Sequence, residues 1–259
     1  MNRERELAER LADLRREGKQ QSGLAADLVP SDLDAAYRVA GLVEEALGWE
    51  VVGWKIAATN AEMQRALRTD RPIYGRVYAP NIRPSPAAFE HARLCSPIPE
   101  AEFQARLAID LPPRDKPYGA EEVSEAVASL HPGIELAECS FIHDVDFPPL
   151  TAILADGSGS CTLVHGAAIE NWRGEDISGQ EVVLYRDGEQ RRSGTAAAAM
   201  EHPMVPLTWL ANELSRTGIG LKAGQLVSTG TLTGMIRTAR GQTYRADFGP
   251  FGEVSLRLE

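Results

Sequence analysis

Cysteine is scarce in this chain: three residues among 259, Cys95, Cys139 and Cys161, widely spaced and with no CxxC pair. So sparse and odd a set excludes a disulfide framework and a structural zinc site. Basic charge is short as well, with 27 Lys and Arg against 37 Asp and Glu and a formal net charge of −10. Nucleic acid or an anionic membrane surface as the main partner would need the opposite balance, although a local pocket can still be cationic. No apolar run approaches the roughly 18 residues that span a bilayer. The opening stretch is highly charged and has no apolar core, so it does not read as a secretory signal. A soluble, cytoplasmic protein without nucleic-acid or membrane partners is expected. The five histidines show no HxxxH or HExxH spacing. Nucleophile elbow, P-loop, dinucleotide fingerprint and internal repeat are all missing.

What is present fits an ordinary globular chain, 43% hydrophobic and 25% charged. Up to residue 50 the pattern is helical. Leu7, Leu11 and Leu14 stripe a solvated rod. A second helix starts at Pro30-Ser31-Asp32-Leu33-Asp34, with Ser31 as N-cap and Asp34 completing a weak capping box. It would bury Leu33, Tyr37, Ala40, Val43 and Leu47 and stop at Gly48. WEVVGWKIAA then reads as a buried strand. Thr59-Asn60-Ala61-Glu62 is a capping box opening a short helix that carries Met63 and Leu67. The prolines from Pro72 to Pro99 predict an irregular loop.

IPEAEFQARLAI alternates with period two. Ala101, Phe103, Ala105 and Leu107 share one face; Glu100, Glu102, Gln104 and Arg106 share the other. AEEVSEAVASL reads as a helix closed by His131-Pro132-Gly133, while GIELAECSF, TAILA and CTLVHGAAI read as strands. EVVLYRDGEQRRSG is a hairpin on Asp187-Gly188, and PLTWLANELSRTG an amphipathic helix ending at Gly218. The expected division is a helical N-terminal part, 1–50, before a β-rich catalytic core, 51–259. The class is α+β, with a barrel or folded-over sheet at its centre.

Glu100 and Glu102 lie two apart on a strand, so both carboxylates enter one space. A solvated polar face gives the same pattern. The apolar frame of Gly133-Ile134-Glu135-Leu136 supplies a third candidate in Glu135. Two ionised carboxylates about 4 Å apart repel by about 4 kcal/mol at an effective dielectric near 20, and a divalent cation removes that cost. Carboxylates without paired histidines or cysteines specify hard oxygen ligation, hence Mg²⁺ or Mn²⁺. Lys55 interrupts an apolar strand; it either snorkels to the surface or stays buried as a proton shuttle. Asp156-Gly157-Ser158-Gly159-Ser160 is a polar turn between two strands. The glycines of Thr229-Gly230-Thr231-Leu232-Thr233-Gly234 would let backbone N–H groups approach an anion.

The ordered set GWKIAATNAEMQ, Pro72-Ile73-Tyr74-Gly75, EAEF, PGIELAE, ADGSGS, HPMVPLTWLANEL, LKAGQLVSTGTLTG and DFGPFGEVSLRL resembles one family from about residue 30 onward. This is the 2-keto-4-pentenoate hydratase and 4-oxalocrotonate decarboxylase family, within the fumarylacetoacetate hydrolase-like superfamily. The resemblance implies that superfamily's mixed β-barrel or roll core. It assigns Glu100, Glu102 and Glu135 to Mg²⁺ or Mn²⁺ and leaves Glu138, on the opposite strand face, as the lesser candidate. Lys55 becomes the proton-moving residue, and Ser160 and Thr231 become substrate-binding residues. Hydratases of the family usually carry an aspartate where this chain has Ile73, and decarboxylases a β-branched residue. The family's DSR is Glu138-Cys139-Ser140 here, without its arginine, and Gly157 replaces an asparagine.

The function implied is a metal-dependent lyase hydrating a 2-hydroxy-2,4-dienoate to a 4-hydroxy-2-oxo acid in aromatic-compound catabolism. The alternatives are decarboxylation of a 4-oxalocrotonate-type 2-oxo diacid and a non-catalytic partner subunit. Acylpyruvate hydrolysis is weaker, as no His–Glu pair can be placed. A homo-oligomer is expected, as is a complex with a homologous decarboxylase or hydratase.

Overall fold

The computed structural model describes residues 3–143, 146–160, 162–169 and 171–259; Cys161, at the head of the CTLVHGAAI segment, lies outside them. The first elements are α1 (Arg3–Glu17) and α2 (Leu33–Leu47). Then come β1 (Val51–Ala57), α3 (Ala61–Leu67), β2 (Ile73–Tyr78), β3 (Ile82–Pro84), β4 (Ala87–Phe89) and β5 (Ile98–Leu107). The middle of the chain forms α4 (Ala120–Glu125), β6 (Val127–Ala137), α5 (Leu150–Ala155) and β7 (Thr162–His165). The hairpin β8 (Glu181–Arg186) and β9 (Glu189–Thr195), α6 (Met204–Arg216), β10 (Leu226–Ser228), β11 (Thr243–Asp247) and β12 (Glu253–Leu258) complete it.

Two mixed sheets result, one ordered β2-β1-β10-β5-β6-β7-β3 and the other β4-β12-β11-β8-β9. Their facing apolar sides form one core, in which Phe103 and Ile134 of the first sheet join Tyr244 and Leu256 of the second. The expected α+β class with folded-over sheets is observed. Asp187 and Gly188 both have positive φ, the type I′ geometry read from the hairpin. No helix among the described residues is long and apolar enough to cross a membrane.

Several local readings change. Helix α1 is no solvated rod: Leu7, Ala8, Leu11 and Ala12 pack with Val39 and Val43 of α2, Tyr78 of β2 and Ala152 of α5. Asp32, not Ser31, caps α2 by accepting from Ala35 N at 2.8 Å, which leaves Leu33 in the first turn and 38% exposed. Asn60, not Thr59, caps α3. The proline-rich stretch contains β2, β3 and β4 because Pro72, Pro84 and Pro86 fall at strand ends or just outside them, where no ladder N–H is needed.

TAILA is helix α5, entered from Pro149; so short an apolar run has no period to separate strand from helix. The turn at 156–160 therefore joins a helix to a strand. The largest change is at His131-Pro132-Gly133, which lies inside β6 and does not close a helix. Gly166 N donates to Pro132 O, so the antiparallel return bond would run from residue 132 to Gly166 O. Proline has no N–H to give. His131 Nδ1 donates to that carbonyl instead, at 3.0 Å, and the strand continues.

Candidate functional site

The register of the long strands brings the acidic residues together. In the antiparallel pair β5/β6, Glu100 stands directly opposite Glu135, and Glu102 follows two residues along on the same face. One oxygen from each of the three carboxylates lies within 4.8 Å of the others. Like charges placed directly opposite one another destabilise a sheet unless something neutralises them. Burial sharpens the conflict, since Glu102 and Glu135 are each only 1% exposed. A solvated polar face does not describe this strand.

Lys55 is on β1, paired with Ser228 of β10, and Ser228 is paired with Gln104 of β5. The lysine thus shares the acidic face and does not snorkel: it is 2% exposed, with Nζ 3.8 Å from Glu135 Oε1. That separation is too long for a hydrogen bond, and Glu135 Oε1 has no donor. Desolvation, then repulsion from Glu135, push the Glu100 carboxyl up to about 7, against the pull of Lys55 and a Thr231 hydrogen bond. Desolvation and both neighbouring carboxylates raise Glu102 well above the carboxylate range; desolvation also raises Glu135, with Lys55 opposing. An oxygen-only set of three buried acids, one oxygen lacking any donor, fits a hard divalent cation.

The glycine-rich loop after β10 serves this cluster. Ser228 Oγ donates to Glu102 Oε2 at 2.5 Å, and Gly230 N donates to the same oxygen at 2.9 Å. The anion that this loop's backbone approaches is a protein carboxylate. Gly230 has φ 110°, and a Cβ there would meet Thr59 Oγ1 at 2.5 Å. Ser228 escaped the sequence reading; its position on a three-residue strand, before the loop, was the available signal.

Glu100 and Glu102 of the cluster line a cavity of about 510 Å³, together with Lys55, Thr231, Glu138, Ser158 and Gly159. Strand β6 ends at Ala137, so Glu138 has no strand face; it borders the cavity but is outside the three-carboxylate group. Ser160 does not line this cavity. Strand β2 is a sheet edge, and its outward carbonyls at Tyr74 and Arg76 accept from Ser158 Oγ and Ser160 Oγ, each at 2.6 Å. The two serines staple the turn to that edge. Gly159, between them, leaves room for Lys55: a Cβ there would lie 3.4 Å from Nζ. Asp156 accepts from Ser140 N at 2.7 Å and Ser140 Oγ at 2.6 Å, which fastens the turn to the segment after β6. Where the chain lacks the family's arginine, Arg15 of α1 reaches in and donates to Asp156 O at 2.6 Å.

No family model matches the chain. It is 28% identical to 2-keto-4-pentenoate hydratase of Paraburkholderia xenovorans LB400 over 257 residues, 98% of this chain and 94% of the relative. It is 26% identical to 4-oxalocrotonate decarboxylase of Pseudomonas putida over 215 residues, 83% and 80% of the two chains. Among solved structures, 4-oxalocrotonate decarboxylase from Pseudomonas putida G7, complexed with magnesium and adipate, superposes with a TM-score of 0.89 at 23% identity, covering 99% and 97%. Fumarylpyruvate hydrolase from Pseudomonas aeruginosa, with Mn²⁺ and pyruvate, follows at 0.56 and 18%, covering 82% and 91%. The fold is thus that of the fumarylacetoacetate hydrolase-like enzymes. Within it, the sequence similarity runs to hydratases and decarboxylases alike, at 28% and 26% identity over most of the chain.

Proposed function

We propose that this protein is a divalent-metal-dependent lyase that hydrates a 2-hydroxy-2,4-dienoate to a 4-hydroxy-2-oxo acid in aromatic-compound catabolism. The observation that carries the reading is the buried triple-carboxylate cluster beside Lys55. Glu100, Glu102 and Glu135 would hold Mg²⁺ or Mn²⁺, ions that relatives of this fold carry. Bound there, the cation would supply Lewis-acid stabilisation of negative charge growing on the substrate's C2 oxygen. Ser228 and Gly230 orient Glu102 by engaging Oε2 and leaving Oε1 for ligation. Lys55 Nζ, held dry between the acids and Gly159, moves the proton that ketonisation requires. Thr231 restrains Glu100 and faces the substrate space. Ser160 acts on the substrate space only through the turn that it staples. Homo-oligomeric assembly, association with a homologous enzyme and a cytoplasmic location belong to the same reading and rest on the resemblance alone.

Decarboxylation of a 2-oxo diacid is the second reading. Ile73 on the cavity wall favours it only in that no carboxylate stands there to guide water; the same apolar side chain gives a second carboxylate no partner. Incubating the protein and Mg²⁺ with a dienol monoacid and a dienol diacid separates the two. Hydration of the monoacid, abolished by chelator, is expected; CO₂ release from the diacid with an inert monoacid would reverse the order.

A further inference from the structure

The cavity is chemically two-ended. One end is the acid cluster and Lys55. Further along the same sheet face, Lys55 pairs with Gly75 and Ala57 with Ile73, so Ile73 projects about 7 Å beyond the lysine on the same side. Leu67 of α3 and Ile153 of α5 join Ile73 in one buried apolar cluster, with Met63 and Phe147 packed against it. All five side chains also line the cavity. Two of the few large hydrophobic residues left exposed, Ile142 at 61% and Met235 at 37%, line it too. A five-carbon dienoate bound by its carboxylate and C2 oxygen at the acid end would occupy only part of 510 Å³ and leave this apolar end wet.

We propose that the substrate carries an uncharged alkyl or aryl group at the end remote from its carboxylate, and that Ile73, Leu67, Ile153, Met63 and Phe147 form the pocket that selects it against a second carboxylate. The inference rests on the proposed binding of a 2-oxo or 2-hydroxy acid at the acid cluster. A carboxylate pushed among these side chains would lose its hydration with nothing to replace it. An apolar tail gains by leaving water, in proportion to the area that it buries. Arg237, exposed beside Met235, is the one cavity-lining arginine among the described residues; it and His143, whose ring packs 5.0 Å from that of Phe147, are the groups that could reverse this preference for a diacid.

Three unreactive acids test the inference by calorimetric titration into the protein with Mg²⁺: 2-oxopentanoate, 2-oxooctanoate and 2-oxoadipate. The expected order is 2-oxooctanoate about tenfold tighter than 2-oxopentanoate, with 2-oxoadipate weakest. In Ile73→Asp the tenfold ratio should fall to near one. Phe147→Ser, at a half-buried site that folding tolerates more easily, should reduce the ratio in the same direction. Equal binding of all three acids, or tightest binding of 2-oxoadipate, overturns the tail pocket while leaving the 2-oxo-acid site intact. No Mg²⁺-dependent binding of any of them overturns the underlying functional reading and the pocket with it.

Discussion

At the residue scale the site is an electrostatic conflict held in place by hydrogen bonds. Glu102 takes two donors on one oxygen, from Ser228 and Gly230, and faces Glu100 and Glu135 without a fixed counter-charge close enough to pair with it. Glu102→Gln should therefore weaken Mg²⁺ binding by more than about 100-fold and abolish turnover, because a ligand charge is lost. The fold should survive, since the change removes one of three repelling charges. Normal turnover by that variant would dismiss the ligand assignment. Lys55→Ala should behave differently, with turnover lost and Mg²⁺ affinity largely kept; calorimetry alongside rate measurement separates the two. Ser228→Ala should cost about 10- to 100-fold in metal affinity, because it only frees Glu102 to rotate. An unchanged affinity would show that Gly230 alone suffices.

At the element scale the cavity wall is built from pieces that lie far apart in sequence. The segment after β6, the turn between α5 and β7, and the N-terminal arm meet at Asp156. Gln21 N donates to Ser140 O and Ile142 N to Gln21 O, so the arm extends the same clasp. Burial raises the Asp156 carboxyl, while Arg15 and the Ser140 donors pull it back. Asp156→Ala would strand the Ser140 N–H and hydroxyl in the interior, and a loss of about 2–4 kcal/mol is expected in urea unfolding. A change under about 0.5 kcal/mol would mean that the clasp relaxes onto other partners. The departures from the family motif, at Glu138-Cys139-Ser140 and Gly157, fall in this same clasp, where Arg15 enters from another element.

At the scale of the whole molecule, the acid cluster links stability to pH and to metal. Glu100, Glu102 and Glu135 all have folded-state carboxyl pKa values above their unfolded ones. The folded chain then holds more protons than the unfolded chain, and metal-free stability falls as pH rises from the ordinary carboxylate range through about 7. In chelator, Tm should drop between about pH 5 and about pH 8, and Mg²⁺ should restore it increasingly toward the upper end, where its ligands are ionised. A chelated protein that gained stability over that interval would show that the cluster is not the dominant titrating feature.

The amino-acid order by itself determined the period-two strand that carries Glu100 and Glu102, the Asp187-Gly188 hairpin, the oxygen-only donor set and the resemblance to hydratases and decarboxylases, because each depends on neighbours in sequence or on the order of motifs. Only the tertiary structure decided that TAILA is helical, that β6 runs through Pro132, that Ser160 turns to the β2 edge and that Ile73 borders an apolar chamber. Those outcomes depend on which strand supplies a partner across space, and a stretch of chain carries no record of the neighbour that will saturate its backbone or cover its side chains.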